Sequence, residues 1–269
     1  YGRTEQDMKY VADQLRELIK FYEKNCGVKY DVNKLREVVE ETNLQYALWD
    51  ECNQYMKASP APMPSFAMQD AFWYLMQHLL PCGDKRVTQL MRTVRDMCKA
   101  NVEKGVGPVM DEQIRIYWPD LDPVWDNELA AWLAQEWGAV VVASFTGRTP
   151  YEQIDCSTED SMLMGLARRG TQEVPMIRQG RGWVDVFVDD VTKGVQDYNA
   201  NCVIFPGYMG HKDQSGIAKM LKNVCRDLDV PVLSMTTDLY DIRYTSMEKI
   251  QNDISNFFSA NGWKRRKHA

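Results

Sequence analysis

The chain has 269 residues, of which 45% are apolar and 26% are charged, and its formal net charge is −6. This composition is typical of a globular protein with enough material for one large domain or two ordinary ones. The acidic balance gives no support for a nucleic-acid partner, and the sequence contains no apolar run of membrane-spanning length.

The first hundred residues carry apolar side chains at helical spacing and show no strand pattern. The spacing predicts four helices, over residues 5–25, from residue 31 onwards, from residue 65 to about 80, and over residues 84–104. Gly27 is expected to end the first helix, and Asp31 is expected to cap the second. This part of the chain is predicted to form a helical domain, residues 1–108.

After residue 108 the pattern changes to short apolar runs that alternate with helices. Strands are predicted at 113–118, 139–144, 202–205 and 231–235, with helices at 122–137, 159–169, 183–199, 213–229 and 246–260. Such alternation is typical of a parallel, doubly wound sheet. The predicted fold class is therefore α/β, with a parallel-sheet lobe at 109–269 preceded by the helical domain. The basic tail at 264–268 is expected to be a solvated end.

The stretch from Asn201 to Gly216 is the first place to look for a site. Its strand ends at Phe205, glycines follow at 207 and 210, and a helix begins near Asp213. In open α/β sheets this strand–turn–helix unit places chemistry at the carboxyl end of a strand. The turn presents its polar side chains just before backbone N–H groups that have no intrahelical partner, and these side chains are Tyr208, His211 and Lys212.

Other polar residues follow the neighbouring strands and are expected to converge on the same crevice. They are Arg148, Thr236, Thr237, Asp238, Asp241 and Arg243. Arg148 and Lys212 could hold an anionic group such as a phosphate. The competing interpretation is that the charged members pair among themselves at the surface. The common nucleotide-binding, hydrolase and zinc-protease motifs are all missing from the sequence.

Seven cysteines are scattered along the chain without any Cys-x-x-Cys pair. This usage favours free thiols in a reducing, cytoplasmic environment, and its spacing gives no complete metal site. Cys82, beside a proline and a glycine, is a weak candidate for a cluster ligand. The chain opens at Tyr1 rather than at methionine, which suggests a fragment or a processed product.

Three features together resemble the family of 2-hydroxyacyl-CoA dehydratase subunits and benzoyl-CoA reductase subunits B and C, without its N-terminal lobe. The stretch Asp31–Asn43 resembles the family's linker helices. The run Gly138–Val142 resembles the first part of a strand of the second lobe. The stretch Cys202–Lys212 resembles the family's strand and the loop that follows it, and the order of the later elements up to Phe258 matches as well.

The resemblance implies flavodoxin-like lobes joined by helices, with a 4Fe–4S cluster between the lobes and an acyl-CoA thioester beside it. It also implies a homologous cluster-bearing subunit and a separate ATP-hydrolysing iron–sulfur activator, so that ATP acts only through the activator. Many relatives have a cluster cysteine where this chain has His211. His211 could therefore ligate iron, or it could donate a hydrogen bond or proton to the thioester carbonyl, the role favoured here. Tyr208 is its expected catalytic companion, and Lys212, Arg148, Gly207, Gly210, Asp238 and Arg243 are the expected substrate-binding residues.

Several functions agree with this resemblance. Low-potential radical reduction of an aromatic acyl-CoA, of the benzoyl-CoA type, is the first expectation, because the chain is rich in aromatic residues and methionine. The alternatives are dehydration of an (R)-2-hydroxyacyl-CoA and a non-catalytic scaffold subunit that supports a cluster-bearing partner. A flavodoxin-like domain that binds another phosphate-bearing ligand is a further alternative. A cluster, if present, is expected to be shared with a missing lobe or a partner, and neither nucleic acid nor a membrane is expected as a partner.

Overall fold

The structure, a computed structural model, describes residues 4–66, 80–81, 83–120, 128–144, 151–173, 183–210, 212–238, 241 and 243–267. Most of the helix predicted from residue 65 and the start of the helix predicted from residue 122 lie outside these residues. The other predicted helices and all four predicted strands are confirmed, with ends shifted by a few residues at most.

The described helices and strands alternate after residue 108, as predicted. The helices are α1 (Glu5–Cys26), α2 (Val32–Tyr55), α3 (Lys85–Lys104), α4 (Leu129–Trp137), α5 (Glu159–Arg168), α6 (Trp183–Asp197), α7 (Lys212–Asp227) and α8 (Met247–Ala260). The strands are β1 (Ile114–Trp118), β2 (Ala139–Ser144), β3 (Cys202–Phe205) and β4 (Val232–Ser234). A π-helical turn, Arg169–Glu173, follows α5.

Packing groups the described residues into two compact units. Unit 1 draws on residues 1–51, 71–95 and 149–183, and unit 2 draws on 52–70, 96–148 and 184–269. The chain passes from one unit to the other within α2 and within α3. Each unit contains residues from before and from after residue 108, so the units do not coincide with the predicted domains. The division into domains 1–108 and 109–269 stays a prediction.

The helices of unit 1 begin and end where the sequence places its capping residues. Thr4 and Asp7 form a capping box at the start of α1, and Gly27 ends this helix with a φ of +66°. Asp31 caps α2, because its carboxylate accepts a hydrogen bond from the Asn33 backbone at 2.8 Å. The side chains of Thr4, Asp7 and Asp31 supply partners for backbone N–H groups that have no partner within the helix.

Asn43 of α2 holds the irregular segment that precedes α5. Its side-chain amide donates to the carbonyl of Ile154 at 2.8 Å and accepts from the N–H of the same residue at 3.0 Å. The Asn43 oxygen also accepts from Arg169 at 3.0 Å, and the Arg169 guanidinium lies 4.5 Å from the ring centroid of Tyr46. Asn43 is the last residue of the stretch that carried the family resemblance. Its side chain bonds both backbone groups of Ile154, as the backbone of a neighbouring strand would, although this segment is not itself a strand.

The sheet of unit 2 is parallel throughout, with the strand order β2-β1-β3-β4. This is the order of flavodoxin-like folds, and it confirms the predicted α/β class. Within the described residues, no helix is both long and apolar enough to cross a membrane.

Two layers of helices cover the sheet, and alternate residues of each strand face each layer. On one face, Ile116 and Trp118 of β1 share a core with Leu133 of α4 and Phe258 of α8. On the other face, Gly194 of α6 lies so close to Tyr117 that a Cβ atom at this position would be 2.5 Å from the ring. Burying each large apolar side chain contributes about 1.5–3 kcal/mol, so both faces contribute to the stability of the sheet.

The basic tail returns to the end of α4. The Arg266 backbone N–H donates to the Glu136 carbonyl at 2.7 Å, and its guanidinium donates to the Ala134 carbonyl at 3.2 Å. Arg265 pairs with the Glu136 carboxylate at 2.6 Å. The prediction of a solvated end is therefore wrong for Arg266, because its backbone and its side chain both donate to carbonyls in the last turn of α4.

Candidate functional site

The carboxyl edge of the sheet has one point where the strand order reverses. The chain moves from β1 outwards to β2 and then returns to place β3 on the other side of β1. In parallel α/β sheets the crevice outside such a switch point is the usual ligand site. The segments that flank it are the one after Trp118 and the turn after Phe205.

The turn after β3 is fastened to the segment after β4 by three hydrogen bonds, one of which runs from the Thr237 N–H to the Gly207 carbonyl at 3.4 Å. The Thr237 hydroxyl donates to the Pro206 carbonyl at 3.0 Å, and the Met209 N–H donates to the Thr237 carbonyl at 3.0 Å. Gly207 has a φ of +59°, and a Cβ atom there would lie 2.2 Å from the Met235 carbonyl oxygen. Only glycine fits this position, so the turn has one defined backbone path.

Tyr208 lies inside this turn rather than on its surface. Its side chain is 1% exposed, and its backbone forms an isolated bridge with Thr237. The outer surface of the turn is made by Met209, which is 45% exposed, and by Gly210. The structure thus places Tyr208 beneath the turn, and its predicted catalytic role stays a prediction.

Helix α7 begins at Lys212, directly after the turn. Its first backbone N–H groups lie at the switch point and carry a partial positive charge, which suits an anionic group or a carbonyl oxygen. The predicted residues His211, Arg148 and Cys82 lie outside the described residues, as does the side chain of Lys212. Their predicted roles are therefore untested.

The predicted group after β4 pairs within itself. Arg243 donates to the Asp241 carboxylate through Nε, which lies 2.8 Å from Oδ1, and through Nη2, which lies 2.5 Å from Oδ2, and its side chain is 84% exposed. Hydrogen bonding from this guanidinium lowers the pKa of Asp241 to about 2. Asp238 accepts from the Asp241 backbone at 2.7 Å, which closes the turn. The structure thus shows for Asp241 and Arg243 the surface pairing that the sequence left open, and substrate binding by Asp238 and Arg243 stays a prediction.

Comparison with known proteins identifies the chain's family. A family model described as 2-hydroxyglutaryl-CoA dehydratase, D-component, matches residues 2–259. The chain belongs to this dehydratase family.

Two curated relatives are alpha subunits of dehydratases. One is lactoyl-CoA dehydratase subunit alpha of Anaerotignum propionicum, 27% identical over 120 residues, which are 44% of this chain and 27% of the relative. The other is (R)-2-hydroxyglutaryl-CoA dehydratase subunit alpha of Acidaminococcus fermentans, 22% identical over 266 residues, which are 96% of this chain and 51% of the relative. The match to the Acidaminococcus fermentans subunit covers nearly all of this chain. The chain therefore spans about half the length of that subunit.

These comparisons favour one of the functions that the sequence left open. Both relatives are named as dehydratases of 2-hydroxyacyl-CoA compounds, and the family model carries the same description. They support an acyl-CoA dehydratase type of subunit, the alternative in the sequence analysis. They give no support to aromatic acyl-CoA reduction, which the sequence analysis placed first.

The iron–sulfur cluster that the dehydratase resemblance implies finds no complete ligand set among the described residues. No group of three or more His, Cys, Asp or Glu side chains in this part of the chain could hold a metal ion. Cys202 and Cys225 are both buried, and burial raises the pKa of both thiols, that of Cys225 to about 12. With no third ligating side chain grouped with them among the described residues, these two cysteines do not form a cluster site by themselves.

One buried carboxylate at the switch point was missed in the choice of site residues. Asp120 lies two residues after β1 and is 1% exposed. Ser144, the last residue of β2, is fully buried at the same edge. The signal that could have found Asp120 is its place directly after a predicted central strand, the same rule that selected the turn after Phe205.

Proposed function

We propose that this chain is a subunit, or part of one, of an enzyme that removes water from a 2-hydroxyacyl-CoA. The observation that carries the proposal is the match to the dehydratase family over residues 2–259. The parallel sheet with its switch point supports it, because it provides a crevice of the kind in which such a ligand binds.

The turn from Pro206 to Gly210 is the proposed binding surface for the thioester end of the substrate. Removing water requires a C2–O bond and a C3–H bond to break, with hydroxide leaving C2 and a proton leaving C3. Because the thioester does not acidify the C3 proton, the proposed route adds one electron from the activator to the thioester carbonyl, which places negative charge on its oxygen, and this electron is recovered when the product forms. The backbone N–H groups at the start of α7 would stabilise that charge, since they are fixed dipoles that need no reorganisation. His211 is proposed to donate to the same oxygen.

The cluster is proposed to be shared with a missing lobe or a partner subunit, and the electron is proposed to come from a separate activator. The described residues lack a ligand set, and the chain spans about half of the relative that it matches throughout. A homologous cluster-bearing subunit and an ATP-hydrolysing activator are therefore the proposed partners. The part that this chain plays is to bind and orient the acyl-CoA.

Titration calorimetry on the 269-residue chain tests the proposal. The ligands are lactoyl-CoA, (R)-2-hydroxyglutaryl-CoA, benzoyl-CoA and free CoA. We expect one binding site, with a 2-hydroxyacyl-CoA bound more tightly than either benzoyl-CoA or free CoA. Preference for benzoyl-CoA would favour aromatic reduction, and no affinity for any of the four ligands would contradict the proposal.

A pair of glycine variants locates the site. Gly207→Ala places a Cβ atom against the Met235 carbonyl and should weaken binding by about tenfold or more, because the turn must move. Gly216→Ala adds a methyl group in open space on the same α7 helix and should leave binding unchanged. Circular dichroism of both variants separates loss of the site from loss of the fold. Equal affinity in the two variants would place the ligand elsewhere.

A further inference from the structure

Two buried cysteines of unit 2 have their side chains in contact. Cys52 of α2 and Cys98 of α3 are both fully buried, and both are present as thiols. The Cys52 thiol donates a hydrogen bond to the Cys98 sulfur. A buried cysteine usually acts as a small apolar residue, and that role does not require a hydrogen bond at its sulfur. The contact between the two sulfurs is therefore a chemical feature as well as a packing one.

The two helices are held side by side along the stretch that leads to this contact. The Gln45 amide of α2 donates to the Thr88 hydroxyl of α3 at 3.0 Å, and Arg95 of α3 donates to the Glu51 carboxylate of α2 at 2.5 Å. Residue numbers rise together in these pairs and in the cysteine pair, so the two helices run in the same direction. The thiol contact thus continues a row of contacts between two packed helices.

The hydrogen bond from Cys52 changes the chemistry of Cys98. It lowers the pKa of the Cys98 thiol below its ordinary value of 9.0, although burial acts in the opposite direction. Cys202 and Cys225 are buried in the same unit, and burial raises the pKa of both, that of Cys225 to about 12. At neutral pH the thiolate form of Cys98 is therefore more populated than that of Cys225, by roughly a thousandfold or more. The thiolate is the form that attacks an oxidant, so Cys98 is the most reactive of these buried thiols.

We propose that Cys98 and Cys52 form a peroxide-oxidation site, in which Cys98 is oxidised first and Cys52 then closes a disulfide with it. The Cys98 thiolate attacks one oxygen of the peroxide, the O–O bond breaks, and Cys98 becomes a sulfenic acid as hydroxide leaves. The Cys52 thiol then attacks the Cys98 sulfur, so that an S–S bond forms, the S–O bond breaks and water leaves. Two thiols and one hydrogen peroxide thus give one disulfide and two molecules of water. The inference goes beyond the proposed dehydratase function and does not depend on it.

Burial of the pair selects the oxidant. A larger oxidant such as glutathione disulfide must bring its own sulfur and peptide chain up to Cys98, and a fully buried thiol leaves no surface for this. Hydrogen peroxide is small and uncharged, and brief local openings are enough to admit it. The contact also limits damage, because Cys52 consumes the sulfenic acid before a second peroxide converts it to the irreversible sulfinic acid. The pair is thus suited to reversible oxidation.

Peptide mapping of the 269-residue chain after peroxide treatment is the first test. The background variant is Cys26→Ser, which removes an exposed thiol. The reduced chain is treated with hydrogen peroxide in the absence of oxygen, and the remaining thiols are alkylated in denaturant. We expect a bridge between the peptides that contain Cys52 and Cys98, with the loss of two hydrogen atoms, and dithiothreitol should restore both thiols.

The rates of reaction test the choice of thiol and of oxidant. Cys98 should be oxidised at least about tenfold faster than Cys225, since the lower nucleophilicity of a low-pKa thiol offsets part of the difference in population. Glutathione disulfide should give no bridge in the time that peroxide needs. A map without the bridge between Cys52 and Cys98, oxidation of Cys225 before Cys98, or an equally fast reaction with glutathione disulfide would overturn the proposal.

Alanine variants test the order of the two steps. In Cys52→Ala the sulfenic acid of Cys98 has no second thiol to react with, so it should accumulate and be labelled by dimedone on unfolding. In Cys98→Ala, Cys52 should stay reduced over the same time. Cys202→Ala is the matched control, since Cys202 is equally buried in unit 2, and it should leave the bridge unchanged.

Circular dichroism shows whether each of these variants is folded, and the map of the wild-type pair decides the proposal if one of them is not. A sulfenic acid that forms at Cys52 in Cys98→Ala, with none at Cys98 in Cys52→Ala, would overturn the proposed order.

Discussion

The side chain of Asn43 pairs with both backbone groups of Ile154, at 2.8 and 3.0 Å, and is itself 8% exposed. Asn43→Ala would leave a buried N–H, a buried carbonyl and one Arg169 donor without this partner. Each lost partner costs about 1–3 kcal/mol, and partial relaxation reduces the sum. We expect a loss of roughly 2–4 kcal/mol in the free energy of unfolding, measured by urea denaturation.

Asn33 provides the control for this change on the same helix. Its side chain is exposed and accepts one hydrogen bond, from Arg36 at 2.9 Å. Asn33→Ala should change the free energy of unfolding by less than about 0.5 kcal/mol, because solvent replaces the lost contact. Equal losses in the two variants would show that helix propensity, and not the pairing with Ile154, determines the effect.

Among the elements, α6 lies close against the sheet at Gly194. Gly194→Ala would place a methyl group 2.5 Å from the buried ring of Tyr117, and the helix or the ring would have to move. Overpacking of this kind costs about 1–3 kcal/mol. Gly216→Ala in α7 meets open space and should stabilise the helix by up to about 1 kcal/mol. Thermal unfolding of the two variants should therefore shift in opposite directions, and a shared direction would contradict this account.

The elements themselves follow from local patterns, and the contacts between them do not. The sequence correctly predicts the end of α1 at Gly27, the cap of α2 at Asp31 and the strand β2. Capping and burial on both faces each require particular residue types, so both can be recognised from the sequence. The pairing of Asn43 with Ile154 spans 111 positions and leaves no such trace. The return of Arg266 to α4 was missed for the same reason, since a basic tail looks alike whether it is solvated or docked.

For the candidate site, the strand-end rule selected the turn that the structure places beside the switch point of the sheet, and ligand binding there stays a prediction. It could not show that Tyr208 lies beneath that turn, because the depth of a ring depends on how the segment after β4 crosses it. It also could not decide whether Asp241 and Arg243 face a ligand or each other. A spacing of two residues allows both, and the observed pairing depends on the turn that Asp238 closes.

At the scale of the whole molecule, each unit carries the same Asp-x-Arg arrangement. Asp84 with Arg86 lies in unit 1, and Asp241 with Arg243 lies in unit 2. In each pair the hydrogen bond from the guanidinium lowers the pKa of the carboxyl from 3.8 to about 2. A pKa that is lower in the folded state means that each pair stabilises the fold above pH 3.8, and that this contribution is lost as the pH falls towards 2.

These two pairs allow a test of whether the pKa of each carboxyl depends only on the arginine of its own pair. In Arg243→Ala, NMR titration should show the pKa of Asp241 rising towards 3.8 without reaching it, since the backbone N–H of residue 243 still donates to the carboxylate at 2.9 Å. The pKa of Asp84 should stay at about 2, and Arg86→Ala should give the mirror result. A shift of both carboxyls in either variant would contradict this account, because each pKa is lowered by the arginine of its own pair.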